Sequence, residues 1–269
     1  MLNRRPKAKK TTMSLNTQLI GFYTLVRKET VRIIRIWPQT ILPSVITTTL
    51  YFLIFGQFIG DRIGSFDGYN YIEFIIPGLI MMPMITTSYT NVSSSFFSAK
   101  FQRNIEELLV SPLHNHLLIM GYLSGGIIRS IIVGTLVTII SMIFSPITFH
   151  NPLIVILCAS LTSILFSIAG FINGIYARKF DDIAIIPTFL LTPLIYLGGV
   201  FYSVKILPPF WQSISLFNPI LYLVNIFRYG CLGISDINVT TALLMMIIII
   251  GLLWTTVLLL IKKGVGIRT

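Results

Sequence analysis

Few side chains in this 269-residue sequence have the types and spacing that chemistry needs. His114, His116 and His150 are not grouped with acids or cysteines at the spacing of a metal site or a catalytic set. Cys158 and Cys231 have no partner motif and are expected to be small apolar residues. No glycine is followed by Lys and then Ser or Thr, so the phosphate-binding loop of ATPases is missing from the sequence. The sequence therefore predicts a protein that is not an enzyme.

One polar loop has a pattern that could bind a partner. Glu106 and Glu107 would face solvent, while Ile105 and Leu108 would lie on the apolar side of a short helix. Pro112 would end that helix. An amphipathic helix of this kind can dock into a groove of another protein, although a solvated loop explains the pattern equally well.

Residues 123–126 read Leu-Ser-Gly-Gly, which matches the start of the signature motif of ATP-binding-cassette ATPases. Without a phosphate-binding loop we interpret this match as chance. The glycines are better explained by close packing of membrane helices, since Gly121 and Gly125, like Gly170 and Gly174, are four residues apart. If ATP drives this protein, another chain must bind it.

Composition indicates that most of the chain lies in a membrane. Hydrophobic residues make up 54% of the chain and charged residues 11%, with a mean hydropathy of +0.85, whereas soluble chains carry about 25% charged residues. Six stretches are long enough to cross about 30 Å of hydrocarbon as helices. These spans are predicted at residues 41–59, 74–97, 126–144, 153–176, 183–201 and 241–261. The predicted fold class is an all-α membrane protein.

The net charge of +11 could indicate nucleic-acid binding or membrane orientation. All of the 20 Lys and Arg except Arg62, Lys205 and Arg228 fall on the side of the membrane that holds both termini. The positive-inside rule makes that side cytoplasmic, so the charge reports orientation and nucleic-acid binding is not expected. Because no acid lies within a predicted span, a carrier driven by an ion gradient is also disfavoured.

The N-terminal residues predict two cytoplasmic segments. Residues 1–16 form a basic tail that lacks the apolar core of a signal peptide. Residues 17–37 have apolar residues at three- and four-residue steps and predict an amphipathic helix in the inner headgroup layer. Its cations, expected to face anionic lipid, are Arg27, Lys28, Arg32 and Arg35. A plain extension of the first span is the alternative.

A second apolar run, residues 214–229, lies between the fifth and sixth spans. It is interrupted by Pro219 and contains Arg228. A seventh full span would place the C-terminal cations outside, against the charge rule. We therefore predict a re-entrant helical hairpin on the outer side, buried in protein.

Two of these segments resemble ABC-2 type transporter permeases. The Glu-Glu-Leu-Leu run and the Ser-Pro after it, within residues 106–112, are similar to the coupling-helix region of that family. Residues 191–228 fit the family's membrane-component signature in order. The matching residues are Leu191, Leu194, Leu197, Gly198, Val200, Leu207, Pro208, Pro219, Ile220, Tyr222 and Arg228. The resemblance is closest to small bacterial inner-membrane permeases whose ATPase is a separate chain.

The resemblance implies a homodimer with two ATP-binding-cassette ATPase subunits on its cytoplasmic face. The helix of residues 17–37 would act as a lever beside the contact with the ATPase. That contact, the coupling helix, would contain Glu106, Glu107, Leu108 and Pro112. A second, smaller contact would contain Arg178, Lys179, Asp181 and Asp182. A solvated turn with local charge pairing explains this last group as well.

The function that the resemblance implies is that of an exporter's membrane subunit. Residues 38–269 would form the ABC-2 transmembrane domain in a bacterial inner membrane, with both termini in the cytoplasm. ATP and Mg would bind to the partner ATPase, and this chain would hold no cofactor. The solute would be amphipathic, a drug, lipid or glycan, and the sequence does not choose among these. A channel or scaffold that does not use ATP is the alternative.

Overall fold

The computed structural model describes residues 14–66, 68–111, 113–147 and 149–266, and nearly all of them are helical. The N-terminal part of the predicted basic tail and Pro112 lie outside these residues. The helices in chain order are α1 (Leu15–Arg35), α2 (Trp37–Thr40), α3 (Leu42–Tyr51), α4 (Gly60–Ile63), α5 (Tyr71–Phe101), α6 (Asn104–Val110), α7 (Asn115–Phe144), α8 (Pro152–Tyr176), α9 (Phe180–Ile186), α10 (Thr192–Leu197), α11 (Pro209–Leu216), α12 (Pro219–Leu232) and α13 (Val239–Lys263). Wider π-helical turns, at Phe52–Ile59 and Pro187–Leu191, join α3 to α4 and α9 to α10.

Six helical segments among the described residues are long and apolar enough to cross a membrane. They are Trp37–Gly56, Tyr71–Phe101, Asn115–Phe144, Pro152–Tyr176, Phe180–Leu197 and Val239–Lys263, here called spans 1 to 6. The predicted all-α membrane fold with six spans is confirmed. Between spans 1 and 2, two short strands, β1 (Ser65–Phe66) and β2 (Tyr69–Asn70), pair in the antiparallel direction. Hydropathy did not indicate this pair.

Span 2 is the central helix of the bundle. It packs against spans 3 and 4 and against α12, and side chains such as Ile75, Leu79 and Val92 are fully buried along it. The helix continues through Pro77 and Pro83, which membrane helices tolerate where neighbouring helices and hydroxyl groups surround the freed carbonyls. A movement of span 2 would therefore change its packing against most of the other helices.

Small polar residues of span 2 serve mainly as helix-packing groups. Thr87 and Ser88 donate to carbonyls one turn earlier in their own helix. Ser130 of span 3 reaches across to the carbonyl of Met84 at 3.0 Å, and Ser163 of span 4 donates to Ser130 at 3.0 Å. These hydroxyls tie spans 2, 3 and 4 together, as polar residues do in membrane bundles.

The spaced glycines lie where helices touch, as predicted. A Cβ at Gly170 would overlap the carbonyl oxygen of Tyr89, and a Cβ at Gly174 would come within 3.1 Å of the carbonyl of Ser93. Gly121 lies under the Leu25 side chain of α1, and Gly125 faces the side chains of Glu29 in α1 and Asn91 in span 2. The absence of a side chain at these positions lets the helix backbones approach closely.

Helix α1 runs parallel to the first part of span 3. Gln18 contacts His114 and Leu25 packs over Gly121, so the contacts advance by the same number of residues along both segments. Such contacts continue for about three turns of both helices. A helix lying flat in the headgroup layer would cross span 3 steeply and touch it at one place. The glycines of span 3 allow this helix-on-helix packing, while Leu19, Ile20, Tyr23 and Ile34 leave an apolar face of α1 exposed.

Two short helices, α11 and α12, occupy the region between spans 5 and 6. Neither helix alone is long enough to cross a membrane, and the two are bent by 89° at the break between them. Pro219 opens α12, where its fixed φ and missing N–H are tolerated, and Asn218 caps the helix through the N–H of Ile220. This sharp bend fits the hairpin predicted from the proline in the apolar run.

Candidate functional site

The predicted coupling segment forms helix α6, held between the ends of spans 2 and 3. Ile105 is buried and Leu108 half-buried, whereas Glu106 and Glu107 are exposed. Arg103, directly before α6, adopts a left-handed conformation with φ of 61°, which turns the chain sharply after span 2. Helix α6 thus presents an acidic face outward and fixes its apolar face against the bundle.

A basic recess lies beside α6, at the ends of spans 2 and 4. Lys100 donates to the carbonyls of Ile175 at 2.6 Å and Ala177 at 2.8 Å, which caps the end of span 4. Together with exposed Arg103 and Arg178, and with Glu106 of α6, it lines a cavity of about 720 Å³. The cations outnumber the one carboxylate, so the recess has a net positive lining.

One of the four residues of the predicted second contact, Asp182, is occupied by hydrogen bonds to neighbouring backbone. The Asp182 carboxylate accepts the backbone N–H groups of Arg178 at 2.8 Å and Lys179 at 3.0 Å, so it caps the start of α9. Arg178, Lys179 and Asp181 are exposed. These three side chains are fully available to a partner, whereas Asp182 is half-buried.

Of the four cations predicted to face lipid, the structure turns one toward the bundle. Arg27, Lys28 and Arg35 are exposed on α1, but Arg32 is half-buried and pairs with Glu29 at 2.9 Å. The prediction for Arg32 is corrected: one helical turn separates it from a buried carboxylate, which requires a positive partner.

The residues of the predicted signature meet at one joint, where span 5 ends and α12 begins. The guanidinium of Arg228 donates to the carbonyl of Gly199 at 2.6 Å and stacks 4.0 Å from the ring centre of Phe74 in span 2. Asn218 donates to the carbonyl of Leu194 at 2.6 Å. Gly199, with φ of 72°, makes the turn that presents its carbonyl.

The remaining signature residues shape this joint. Leu191 is buried at the end of the second π-helical segment, and a Cβ at Gly198 would lie 2.8 Å from Ile220. Pro208 directly precedes α11, and the hydroxyl of Tyr222 donates to the carbonyl of Leu216 at 2.7 Å, across the bend. The spaced sequence pattern thus corresponds to one structural unit, the attachment of α11 and α12 to spans 2 and 5.

Comparison with known proteins decides what this bundle is. Residues 20–232 match the ABC-2 type transporter family. The chain belongs to that family. The inner membrane transport permease YadH of Escherichia coli K12 is 54% identical over 250 residues, which are 93% of this chain and 98% of that protein. Nodulation protein J of Rhizobium leguminosarum bv. viciae is 23% identical over 208 residues, covering 76% of this chain and 80% of that protein.

Family membership confirms the resemblance on which the roles of α6 and the signature were predicted. This ABC-2 permease is a membrane subunit of a transporter and not an enzyme. No group of three or more metal-ligating side chains occurs within the described ranges.

Sequence reasoning missed one buried polar group in this ABC-2 permease. Glu29 was counted only as a cytoplasmic charge, yet its side chain is about 1% exposed and is held by Ser95 of span 2. The i, i+3 spacing of Glu29 and Arg32 was a visible signal for a local pair. Nothing nearby in sequence indicated Ser95.

Proposed function

We propose that the chain is the membrane-spanning subunit of an ATP-driven exporter that moves an amphipathic solute out of the cytoplasm. The energy comes from a separate ATP-binding-cassette subunit, which holds ATP and Mg. Helix α6 is the observation that carries this proposal, because it presents two exposed carboxylates on a buried apolar base and so has the form of a docking helix.

The proposed orientation places α1, α6 and the end of α13 in the cytoplasm. The relative named as an inner membrane permease supports the same location for this chain. Lys262 and Lys263 at the end of α13 are exposed, as the positive-inside rule expects of a cytoplasmic helix end. Two copies of the chain would flank a shared solute path, with an ATPase docked on each α6.

A groove between spans 1 and 2 supports the proposal that the solute is uncharged or amphipathic. Its volume is about 210 Å³, and no charged side chain lines it. Its lining is Pro43, Ser44, Thr47, Thr48, Tyr51, Met82, Pro83 and Thr86. The hydroxyls of Tyr51 and Tyr196 meet at 2.9 Å near its end, so the groove offers both hydrogen bonds and aromatic surface. A drug, a lipid or a glycan with both apolar and hydrogen-bonding surface would match this lining.

The double substitution Glu106→Lys with Glu107→Lys tests the coupling role. Reversing both exposed charges should remove solute-stimulated ATP hydrolysis and weaken association with the ATPase by about tenfold or more, since lost charge pairs at a contact cost a few kcal/mol. Co-purification of the ATPase and its hydrolysis rate are the measurements.

A matched control makes the outcome specific. Lys262→Glu with Lys263→Glu reverses two adjacent exposed charges on α13, a helix that is not assigned to the ATPase contact, and should leave association intact. The coupling assignment is wrong if the Glu106/Glu107 variant binds and stimulates the ATPase like the native chain.

A further inference from the structure

A groove of about 380 Å³ opens between spans 3 and 4. Exposed apolar side chains form its rim, among them Ile131 and Ile139 on span 3 and Ile156 on span 4. Buried side chains form its floor, Met84 of span 2 and Phe227 of α12. The groove therefore reaches from the outer surface of the bundle to its central helix.

The lining of this groove is apolar in its chemistry. Its hydroxyls are turned to their own helices, since Thr138 donates to the carbonyl of Gly134 at 2.8 Å and Ser160 donates to the carbonyl of Ile156 at 2.8 Å. Within the described ranges, no charged side chain is part of the lining. Apolar cavities stay free of water, because water finds too few polar partners in them. The groove is thus suited to hydrocarbon.

The groove lies at the depth of the hydrocarbon layer. On span 3 it extends from Ile131 to Met142, about 16 Å along the helix axis. These residues lie within the stretch 126–144 that hydropathy assigns to the membrane, and the lining residues 155–160 of span 4 lie within the stretch 153–176. The surface of a membrane bundle at this depth is covered by lipid. The groove is therefore continuous with the lipid-facing surface of the protein.

A second copy of the chain would meet a different face of the bundle. In the proposed function, two copies flank the groove between spans 1 and 2. Span 1 contacts the other side of span 3, where Phe144 stacks on Phe52. Phe144 is two residues from Met142 and so about 200° away around the helix. The face that carries the groove of spans 3 and 4 is thereby left to the lipid.

We propose that this groove binds one acyl chain of a membrane phospholipid as a fixed part of the structure. The acyl chain lies along span 3 and contacts Met84 and Phe227 on the floor. Empty, the groove would leave these side chains without neighbours on one side, and filled, it completes the packing of spans 2, 3 and 4 against α12. The groove ends beside Phe149, in the loop after span 3. The lipid therefore belongs to the leaflet at the end of the bundle opposite α6.

The test uses the full chain in phosphatidylcholine vesicles, without ATPase or solute. Phe replaces the native Trp37, Trp211 and Trp254, and Phe227→Trp places a single fluorophore on the groove floor. Vesicles whose phosphatidylcholine carries a dibrominated acyl chain are compared with vesicles of the unbrominated lipid, because bromine quenches tryptophan only at close approach. Leu252→Trp, at an exposed position of span 6, measures the quenching by bulk lipid.

The tryptophan at position 227 should be quenched nearly as strongly as the one at position 252, although Phe227 is only 3% exposed. Thr138→Phe puts a ring into the groove and should remove most of that quenching by excluding the acyl chain. Thr256→Phe on span 6 is the matched control, because Thr256 is exposed and also donates to a carbonyl of its own helix. It should leave the quenching at position 227 unchanged.

Two results would overturn the proposal. One is a folded Phe227→Trp chain without quenching, which would mean that the groove is closed or covered by a second copy. The other is equal quenching with Thr138→Phe and with Thr256→Phe, which would mean that bromine reaches position 227 by another route. If Phe227→Trp does not fold, Val155→Trp in the groove lining replaces it with the same expectations. Because ATPase and solute are absent, either failure leaves the proposed function standing.

Discussion

Single residues without side chains set how closely the spans approach. Gly170 meets the backbone of Tyr89, so no rotation of a flexible side chain could make room for an added methyl group. Gly251 of span 6, by contrast, has no heavy atom of the described chain within 4 Å of where a Cβ would be. The same residue type therefore has opposite packing roles in two spans.

Gly170→Ala should destabilise the protein because the contact with Tyr89 forces spans 2 and 4 apart. Overpacking of this kind costs about 1–3 kcal/mol. The thermal unfolding midpoint of the detergent-solubilised chain measures the effect. Gly251→Ala is the control and should be neutral or slightly stabilising, since Ala is the better helix former. Equal midpoints for the two variants would contradict the assigned contact.

Residues that act through local spacing were predictable, and residues that act through distant contacts were not. Glu106, Glu107 and Pro112 stand out in the sequence. The helical spacing of the apolar residues beside the two acids, and the proline that follows, are both visible within one segment. Glu29 does not, because its partner Ser95 is 66 residues away and the sequence gives no register between α1 and span 2. The inward orientation of Arg32 depends on that same register.

At the scale of elements, one arginine fixes the position of α12. Arg228 bonds to the turn after span 5 and stacks on Phe74 of span 2, so it connects three elements from a buried position. The bend before α12 could be predicted from Pro219. The direction of Arg228 could not, because a buried cation needs a partner and the sequence does not show that a backbone carbonyl supplies it.

Arg228→Lys should destabilise this joint, since a lysine can keep one hydrogen bond to Gly199 but loses the planar stacking on Phe74. The expected loss is about 1–3 kcal/mol, measured from the thermal midpoint of the purified chain. Exposed Arg62→Lys, also outside the spans, is the matched control and should be neutral. A native-like midpoint for Arg228→Lys would show that α12 is held by other contacts.

For the whole molecule, orientation is the property that charge counting predicts most directly. Ser213 on α11 and Asn104 on α6 are exposed at opposite ends of the bundle. The native cysteines are buried, so an impermeant thiol reagent reports only on introduced positions. Cys231 itself, although near the end of the bundle opposite α6, is about 1% exposed and would not report.

Ser213→Cys should be labelled in intact cells by an impermeant maleimide, and Asn104→Cys only after the cells are made permeable. The positive-inside distribution of Lys and Arg is the physical reason. Labelling is scored on the purified chain, and the native chain serves as the blank. The reverse pattern would invert the proposed membrane orientation and remove the cytoplasmic ATPase contact with it.

Span 3 is longer than a bilayer requires. Its 30 residues extend about 45 Å, and the hydrocarbon layer is about 30 Å thick. In the proposed orientation, with the hydrocarbon layer beginning at residue 126 as hydropathy predicts, the surplus is the part of span 3 beside α1. Helix α6 would then stand roughly 15 Å beyond the hydrocarbon boundary on a stalk of paired helices. Acyl chains of greater length would submerge part of that stalk. Membrane thickness thereby becomes a variable that sets how much of α1 is free to move.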